Sequence, residues 1–528
     1  MLYELEPGVN AMSAMESVRA EGGLNGRIGK CDPDSSSSIW TTDTAVLIYM
    51  ALGTVLLHAI VGNRYGFHCD ELATLDDARH LAWGYPAYPP VTPFFGRLSL
   101  ILFGTSLAGF RFFGSVAQAC TIVLAGLMAR DLGGKRKAQF LAGAVSVPFV
   151  IGGGVFMQYV AFDALAWVLT AYFVVRLLKT GEPRWWVAIG AGVGFGMLSK
   201  YTMCFFAAGL VTGLLFTDAR RYLRSKWLWI GMAVAILIFL PNLVWQMQHQ
   251  FTSLEMLKFI HARDVGSGAT TSFLPDQLRN TFLPLVLAGL YFYFFSRSAA
   301  PFRMVGWMYV TTLLILVVAK GKSYYLYPAY PMIWAGGAVW VEGWLRTVRR
   351  WAAVTVWSVA WMLVTLAAIG TSLFFLPLAP VNSRWFHISH TLQGEFYSEF
   401  GWQELTQEVA SIRDSLTPEE RTHLGVLAGS YGEAGAVNLY GPRYGLPRAI
   451  SGINSYWQHG CGNPPPETLI VIGETREAAD RNFEACRLAG HMWNPYDVWN
   501  FETNRDIFVC GPPRLSWPEF WKRFRYFG

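Results

Sequence analysis

The sequence predicts an α-helical polytopic membrane protein of about eleven transmembrane helices, followed by a small α/β domain. Three observations carry that prediction. Hydrophobic residues make up 53% of the chain against 15% charged, with a mean hydropathy of +0.30, a balance unsuited to a solvated surface. Apolar runs long enough to span a bilayer recur from residue 44 to 376. Every second connection between them is basic, as the bias of Lys and Arg toward the cytoplasm demands.

Residues 1–42 are polar and Gly- and Ser-rich, with the run Ser35 to Ser38 and no apolar core of signal-peptide type. They read as a disordered cytoplasmic tail. Thr44 to Gly62 is long enough to span and lacks a cleavage site, so it reads as an uncleaved anchor. Further helices are expected near 107–129, 138–157, 160–178, 185–199, 201–217, 227–247, 280–296, 304–319, 331–345 and 351–376. The run Gly190, Gly192, Gly194 and Gly196 lies inside an apolar helix, where it serves close helix approach rather than nucleotide binding.

The connections holding Arg130, Lys135, Arg136 and Lys137, then Arg176, Lys179 and Arg184, then Arg220, Arg221, Arg224 and Lys226, then Arg297 and Arg303, then Arg346, Arg349 and Arg350 are assigned to the cytoplasm. The outer face then receives a first loop, 63–106, the neighbourhoods of Asp163 and Lys200, the loop 248–279, Lys320 to Pro331, and a soluble domain over 377–528. The membrane domain is thus 43–376, in the plasma membrane of a bacterium on the mild ground that the outer segments lack an N-x-S/T acceptor. Strands are expected at Leu424 to Ala428, Leu469 to Gly473 and Ile507 to Cys510, with helices at Gly432 to Tyr440 and Thr475 to Leu488. One pair among Cys461, Cys486 and Cys510 is a disulfide candidate on that side. Tyr431-Gly432-Glu433 and Asn454-Ser455-Tyr456-Trp457 offer polar and aromatic groups to an acceptor, although ordinary turn and core roles are the commoner use.

Chemistry points to the first outer loop. There Leu72, Leu75, Ala78 and Ala82 form an apolar stripe suited to a helix on the membrane surface, and Asp70 and Asp77 share a face. Locally, Asp70 reads as an N-cap with Glu71 favourable to the helix dipole. A second acid, Asp163, stands inside an apolar run, where a carboxylate is costly unless paired, hydrated or functional. The predicted topology carries both to the outer face, together with Lys200, Lys320, Lys322, Tyr324 and Tyr325, and with Arg111, Lys258 and Arg263. Such a set suits a site that holds a phosphate and keeps an acid to activate a hydroxyl. No cofactor motif is present; a divalent ion bridged by Asp70, Glu71 and Asp163 is the alternative to metal-free electrostatics. No basic patch calls for nucleic acid.

Asp70-Glu71 after the first span, Gly84-Tyr85-Pro86-Ala87-Tyr88-Pro89-Pro90, Asp163 opening a span, Gly196-Met197-Leu198-Ser199-Lys200-Tyr201, Pro241-Asn242-Leu243-Val244-Trp245-Gln246 and Lys322-Ser323-Tyr324-Tyr325 together resemble the dolichyl-phosphate-mannose protein mannosyltransferase superfamily, including its bacterial aminoarabinose transferase branch. The resemblance covers roughly residues 44–345 in order. It implies a GT-C fold and a polyprenyl-phosphate-linked sugar as donor, with Asp70, Glu71 and Asp163 as catalytic acids. Lys200 and Lys322 fall on the phosphate side, and Lys320, Tyr324, Tyr325 and Arg263 complete the substrate-binding set. The expected reaction is an inverting transfer to an extracytoplasmic protein, lipid or glycan. A lipid-linked sugar flippase or transporter is the rival, disfavoured because the acids gather on one face. Pro89 stands where the aminoarabinose branch has Lys, so aminoarabinose and lipid A are not inherited from the resemblance as substrates.

Overall fold

The computed structural model describes residues 42–496, 498, 500 and 505–528. The expected tail, 1–42, lies outside them except for Thr42. Residues Asp43–Gly528 form one compact unit. Its first part is helical throughout: α1 (Asp43–Val61), α2 (Cys69–Arg79), α3 (Val91–Phe103), α4 (Leu107–Asp131), α5 (Arg136–Gly153), α6 (Tyr159–Thr180), α7 (Trp185–Ser199), α8 (Met203–Leu215), α9 (Lys226–Gln248), α10 (Thr252–Gly266), α11 (Phe273–Arg279), α12 (Leu283–Phe295), α13 (Arg303–Val318), α14 (Tyr330–Leu345) and α15 (Arg350–Phe375).

Every segment expected to be a transmembrane helix coincides with one of these, shifted by a few residues at its ends. Among the described residues, six helices are long and apolar enough to cross a bilayer, or up to eight if two bent pairs each count as one span. The bends are sharp, 99° after α8 and 95° between α11 and α12. The glycine run of α7 acts as expected. A Cβ on Gly190 would overlap the Gly231 carbonyl of α9, so the two backbones meet directly. At the end of the bundle assigned to the cytoplasm, Asp131 closes α4 and pairs with Arg176 and Lys179 of α6, and Arg136 of α5 meets Asp43 of α1.

After α15 come α16 (Arg384–Leu392), α17 (Trp402–Ser415), α18 (Pro418–Thr422), β1 (Leu424–Ala428), α19 (Tyr431–Tyr440), β2 (Ala449–Ile450), α20 (Asn454–Gln458), β3 (Thr468–Ile472), α21 (Arg476–Asn482), β4 (Arg487–His491), β5 (Asp506–Cys510) and α22 (Trp517–Arg523). The sheet runs β2-β1-β3-β5-β4, parallel from β2 to β3 and antiparallel at β5 and β4. The buried strands match the expected ones closely. The helix expected over Thr475 to Leu488 is shorter, because Arg487 turns into the edge strand β4. Cys486 and Cys510 form a disulfide and Cys461 is free.

This C-terminal part packs directly on the first loop, which corrects the expectation of a surface helix. Leu72, Leu75 and Ala78 of α2 are buried, but the cover over Leu72 is α19: a Cβ on Gly435 would lie 2.7 Å from the Leu72 Cβ. Ala78 packs against Gly96 of α3. An apolar stripe states only that something apolar covers it, and here protein does what lipid was expected to do.

Candidate active site

The local sequence at the start of α2 divides two adjacent acids into different roles. His68 is the N-cap, where an Asp70 cap was expected. Its Nδ1 accepts the Asp70 N–H at 3.1 Å, and Glu71 reaches back to accept the His68 N–H at 3.0 Å, a reciprocal capping box. Glu71 therefore points inward and Asp70 outward.

Glu71 is fully buried. Arg111 of α4 donates to it through Nε at 2.9 Å and Nη2 at 2.6 Å, and the Met157 N–H adds a further bond at 2.8 Å. Its oxygens are taken up by four donors, the geometry of a positioning group rather than of a base. Arg111 is committed as well, giving its other bonds to the Gly62 and Gly66 carbonyls and to Glu399 at 3.0 Å. It is thus no phosphate ligand.

Two carboxylates share this one guanidinium. Burial and the charge of Glu71, against the pull of Arg111, push the Glu399 carboxyl up to about 7. A carboxyl whose folded value lies above its unfolded one supports the fold most at low pH and loses that contribution as pH rises through the folded value. Glu399→Gln is accordingly expected to flatten the fall in melting temperature between about pH 5 and 8. An unchanged slope in thermal melts would show that Glu399 is not the titrating group.

Asp70 is half-buried on the wall of a cavity of about 1550 Å³. Gln158, the residue before α6, donates Nε2 to Asp70 Oδ2 at 3.0 Å and fixes its rotamer. The same cavity is lined by Lys200, Arg263, Lys320, Lys322, Tyr324 and Tyr325, so every expected substrate-binding residue reaches it. Lys200 ends α7, and its Nζ lies over the rings of Tyr325, Tyr324 and Tyr159 at 4.3, 4.6 and 4.8 Å. The π faces of these three rings attract the ammonium. Lys322 and Arg263 both meet Asp264, at 2.8 and 3.3 Å, while Lys320 is exposed.

Asp163 is buried one turn inside α6, accepts the Thr202 hydroxyl at 3.0 Å and senses the Lys200 charge, but it does not line the cavity. The ion-bridging alternative for Asp70, Glu71 and Asp163 does not fit this arrangement, since Glu71 is saturated and Asp163 does not line the cavity that Asp70 faces. His68, Cys69 and Asp70 do lie close together, yet both His68 ring nitrogens are engaged, Nδ1 by the Asp70 amide and Nε2 by Glu395 at 3.2 Å.

Sequence reasoning left Gln158, Glu395 and Asp264 out of the site. None carried a signal: a neutral amide and two acids outside any motif are ordinary until the fold brings them to Asp70, His68 and Lys322.

The model of the dolichyl-phosphate-mannose-protein mannosyltransferase family matches residues 87–245. Lipid A galacturonosyltransferase RgtD of Rhizobium johnstonii is 26% identical over 351 residues, covering 62% of this chain and 72% of the relative. Lipopolysaccharide core galacturonosyltransferase RgtB of the same organism is 29% identical over 190 residues, 34% of this chain and 37% of the relative. ArnT from Cupriavidus metallidurans, solved bound to undecaprenyl phosphate, superposes with a TM-score of 0.56 at 15% identity, over 89% of this chain and 98% of that one. Family match, relatives and fold together make the chain a membrane-embedded glycosyltransferase with the GT-C fold, similar over residues 87–245 to the protein mannosyltransferase family.

Proposed function

We propose that the chain transfers a uronic acid sugar, galacturonic acid, with inversion from a polyprenyl phosphate to the lipid A or core sugars of lipopolysaccharide on the extracytoplasmic face. The observation that carries this reading is one cavity with Asp70 on its wall and a cluster of cations, caged Lys200 among them, around it. A galacturonosyl phosphodiester bears two negative groups, so its site needs more positive charge than a neutral sugar does. The two galacturonosyltransferase relatives support the sugar.

In a single displacement the acceptor hydroxyl attacks the anomeric carbon as its proton passes to Asp70. The bond from that carbon to the phosphate oxygen breaks, and the phosphate leaves on the polyprenyl chain. Lys200 and Lys320 stabilise the growing phosphate charge, Lys320 in place of the expected Lys322, whose ammonium Asp264 already holds. Glu71 and Asp163 act one step back. Glu71 fixes the helix that carries Asp70, and Asp163 holds the charge of Lys200 in place.

The orientation belongs to the same proposal. About eleven spans put residues 377–528 and the cavity outside; the disulfide between Cys486 and Cys510 supports an oxidising compartment.

The test is transfer in proteoliposomes from polyprenyl-phosphate galacturonate to lipid A. Galacturonate should appear on the lipid, and Lys200→Gln should raise the donor KM by about 10–100-fold, as loss of a charge-assisted bond would. Transfer from a neutral-sugar donor alone would overturn the sugar assignment. No transfer from any polyprenyl-phosphate donor would overturn the reaction.

A further inference from the structure

The cations occupy one part of the cavity wall, and a different surface lies along α2 beyond Asp70. Asp77 lines the cavity there, together with Tyr88 after α2 and with Asn454, Ser455 and Tyr456 of the short helix α20. Two segments nearly four hundred residues apart in sequence thus face each other across one recess.

This recess has hydrogen-bonding capacity that the protein does not use. Among the described residues Tyr456, 2% exposed, has no partner for its hydroxyl, and the Asn454 Oδ1 is likewise buried and unpaired. Buried polar atoms almost always find partners, so two orphans on one wall call for an explanation. Asn454 is also held at φ +46, in the left-handed region that Asn enters more readily than most residues. Asp77 is buried beside them. It accepts the Tyr88 hydroxyl at 2.6 Å and bonds Ser455, and burial pushes its carboxyl up to about 7. Its neighbour Asp76 differs, being spent on Arg448 and Asn438.

We infer that this recess is the acceptor subsite and that it binds the hydroxyls of a pyranose ring on the acceptor glycan. An acid, an amide oxygen and a phenol ask the ligand for several O–H donors and one acceptor, which vicinal sugar hydroxyls supply. A phosphate offers no donors and is repelled by Asp77, so the phosphate-bearing donor belongs with the cations. The Tyr88 and Tyr159 rings, with centroids 6.0 Å apart, give the apolar face of a sugar something to lie against. Asp70 and Asp77 are two helical turns apart, about 10 Å along the axis of α2. A sugar held at Asp77 therefore places a hydroxyl one or two rings away at the base.

The inference rests on the glycosyltransferase reading above, and the experiment separates the two. Wild-type protein in proteoliposomes is assayed with polyprenyl-phosphate galacturonate and lipid A, beside Tyr456→Phe and Asn454→Gly. Tyr456→Phe removes a hydroxyl and Asn454→Gly an amide oxygen that bond nothing among the described residues, and glycine suits φ +46, so folding and melting temperature should hold, or rise slightly. Each should raise the KM for lipid A by about three- to tenfold and leave the donor KM unchanged. An unchanged acceptor KM overturns the subsite, as does an equal loss for donor and acceptor or a fall in melting temperature that accounts for the loss. Failure of the wild type to transfer would count against the reaction itself and not against this assignment.

Discussion

Asp70→Asn is expected to lower the turnover number by about 10²–10⁴-fold, the range that positioned general bases contribute, with little change in the KM of either substrate. The substitution keeps the shape of the side chain, and an amide oxygen can still accept the Gln158 Nε2 that now bonds Asp70 at 3.0 Å. The helix start survives too, since the box that begins α2 uses the His68 and Glu71 side chains and only the backbone of Asp70. What is lost is the ability to take a proton from the incoming hydroxyl. Steady-state transfer with wild-type melting behaviour would isolate that loss. Turnover close to wild type would leave Asp70 as a polar residue on the wall of the cavity and require another base.

Arg111→Met should have the larger effect on the fold, lowering stability by about 3–5 kcal/mol, the cost of breaking a buried ion pair by removing one partner. Glu71 and Glu399 would then sit buried with no counter-charge, beside the Gly62 and Gly66 carbonyls that had accepted from the same guanidinium. Glu399 can take up a proton, whereas Glu71 keeps only the His68 and Met157 N–H groups to screen it. Adding Glu71→Gln and Glu399→Gln to Arg111→Met should recover much of the loss, because the uncompensated charges cause it. Thermal melts in detergent compare the single and triple variants. A single variant that melts with the wild type would show that the network is neutral to stability.

The helices that build the membrane part were legible because each is an apolar run bounded by charge, and lipid-facing or protein-facing, such a run reads the same way. That ambiguity is also why α2 was misplaced: the stripe Leu72, Leu75 and Ala78 encodes burial but not by what, and α19 lies more than 350 residues further on. The strand β1 was readable to the residue since Leu424 to Ala428 is continuously apolar. β4 was not, because Arg487 to His491 is an exposed edge made regular only by β5, with a shift in register between Leu488 and Gly490.

At the candidate site, charge in an apolar context singled out Lys200 and Asp163, and of the paired acids at 70 and 71 the fold brings Asp70, with Lys200, to the wall of one cavity. Their division of labour was hidden. It depends on a histidine cap, an uncommon choice, and on Arg111, whose partner 40 positions earlier in the chain no local pattern identifies. Asp77 was visible as the residue sharing a face with Asp70, but its importance depends on Tyr456 and Asn454 standing opposite.

The contacts that fix α2 also set when the enzyme can become active during its synthesis. Asp70 leaves the ribosome early, yet the chain that covers its helix and lines its recess, from Glu395 through α19 to α20, follows more than 300 residues later, on the order of tens of seconds at about 5–20 residues per second. Until then the membrane helices can insert while the Asp70 carboxylate has no finished pocket. A chain interrupted after α15 would carry the whole bundle, Asp70 and Lys200 included, and still lack the α20 wall of the cavity.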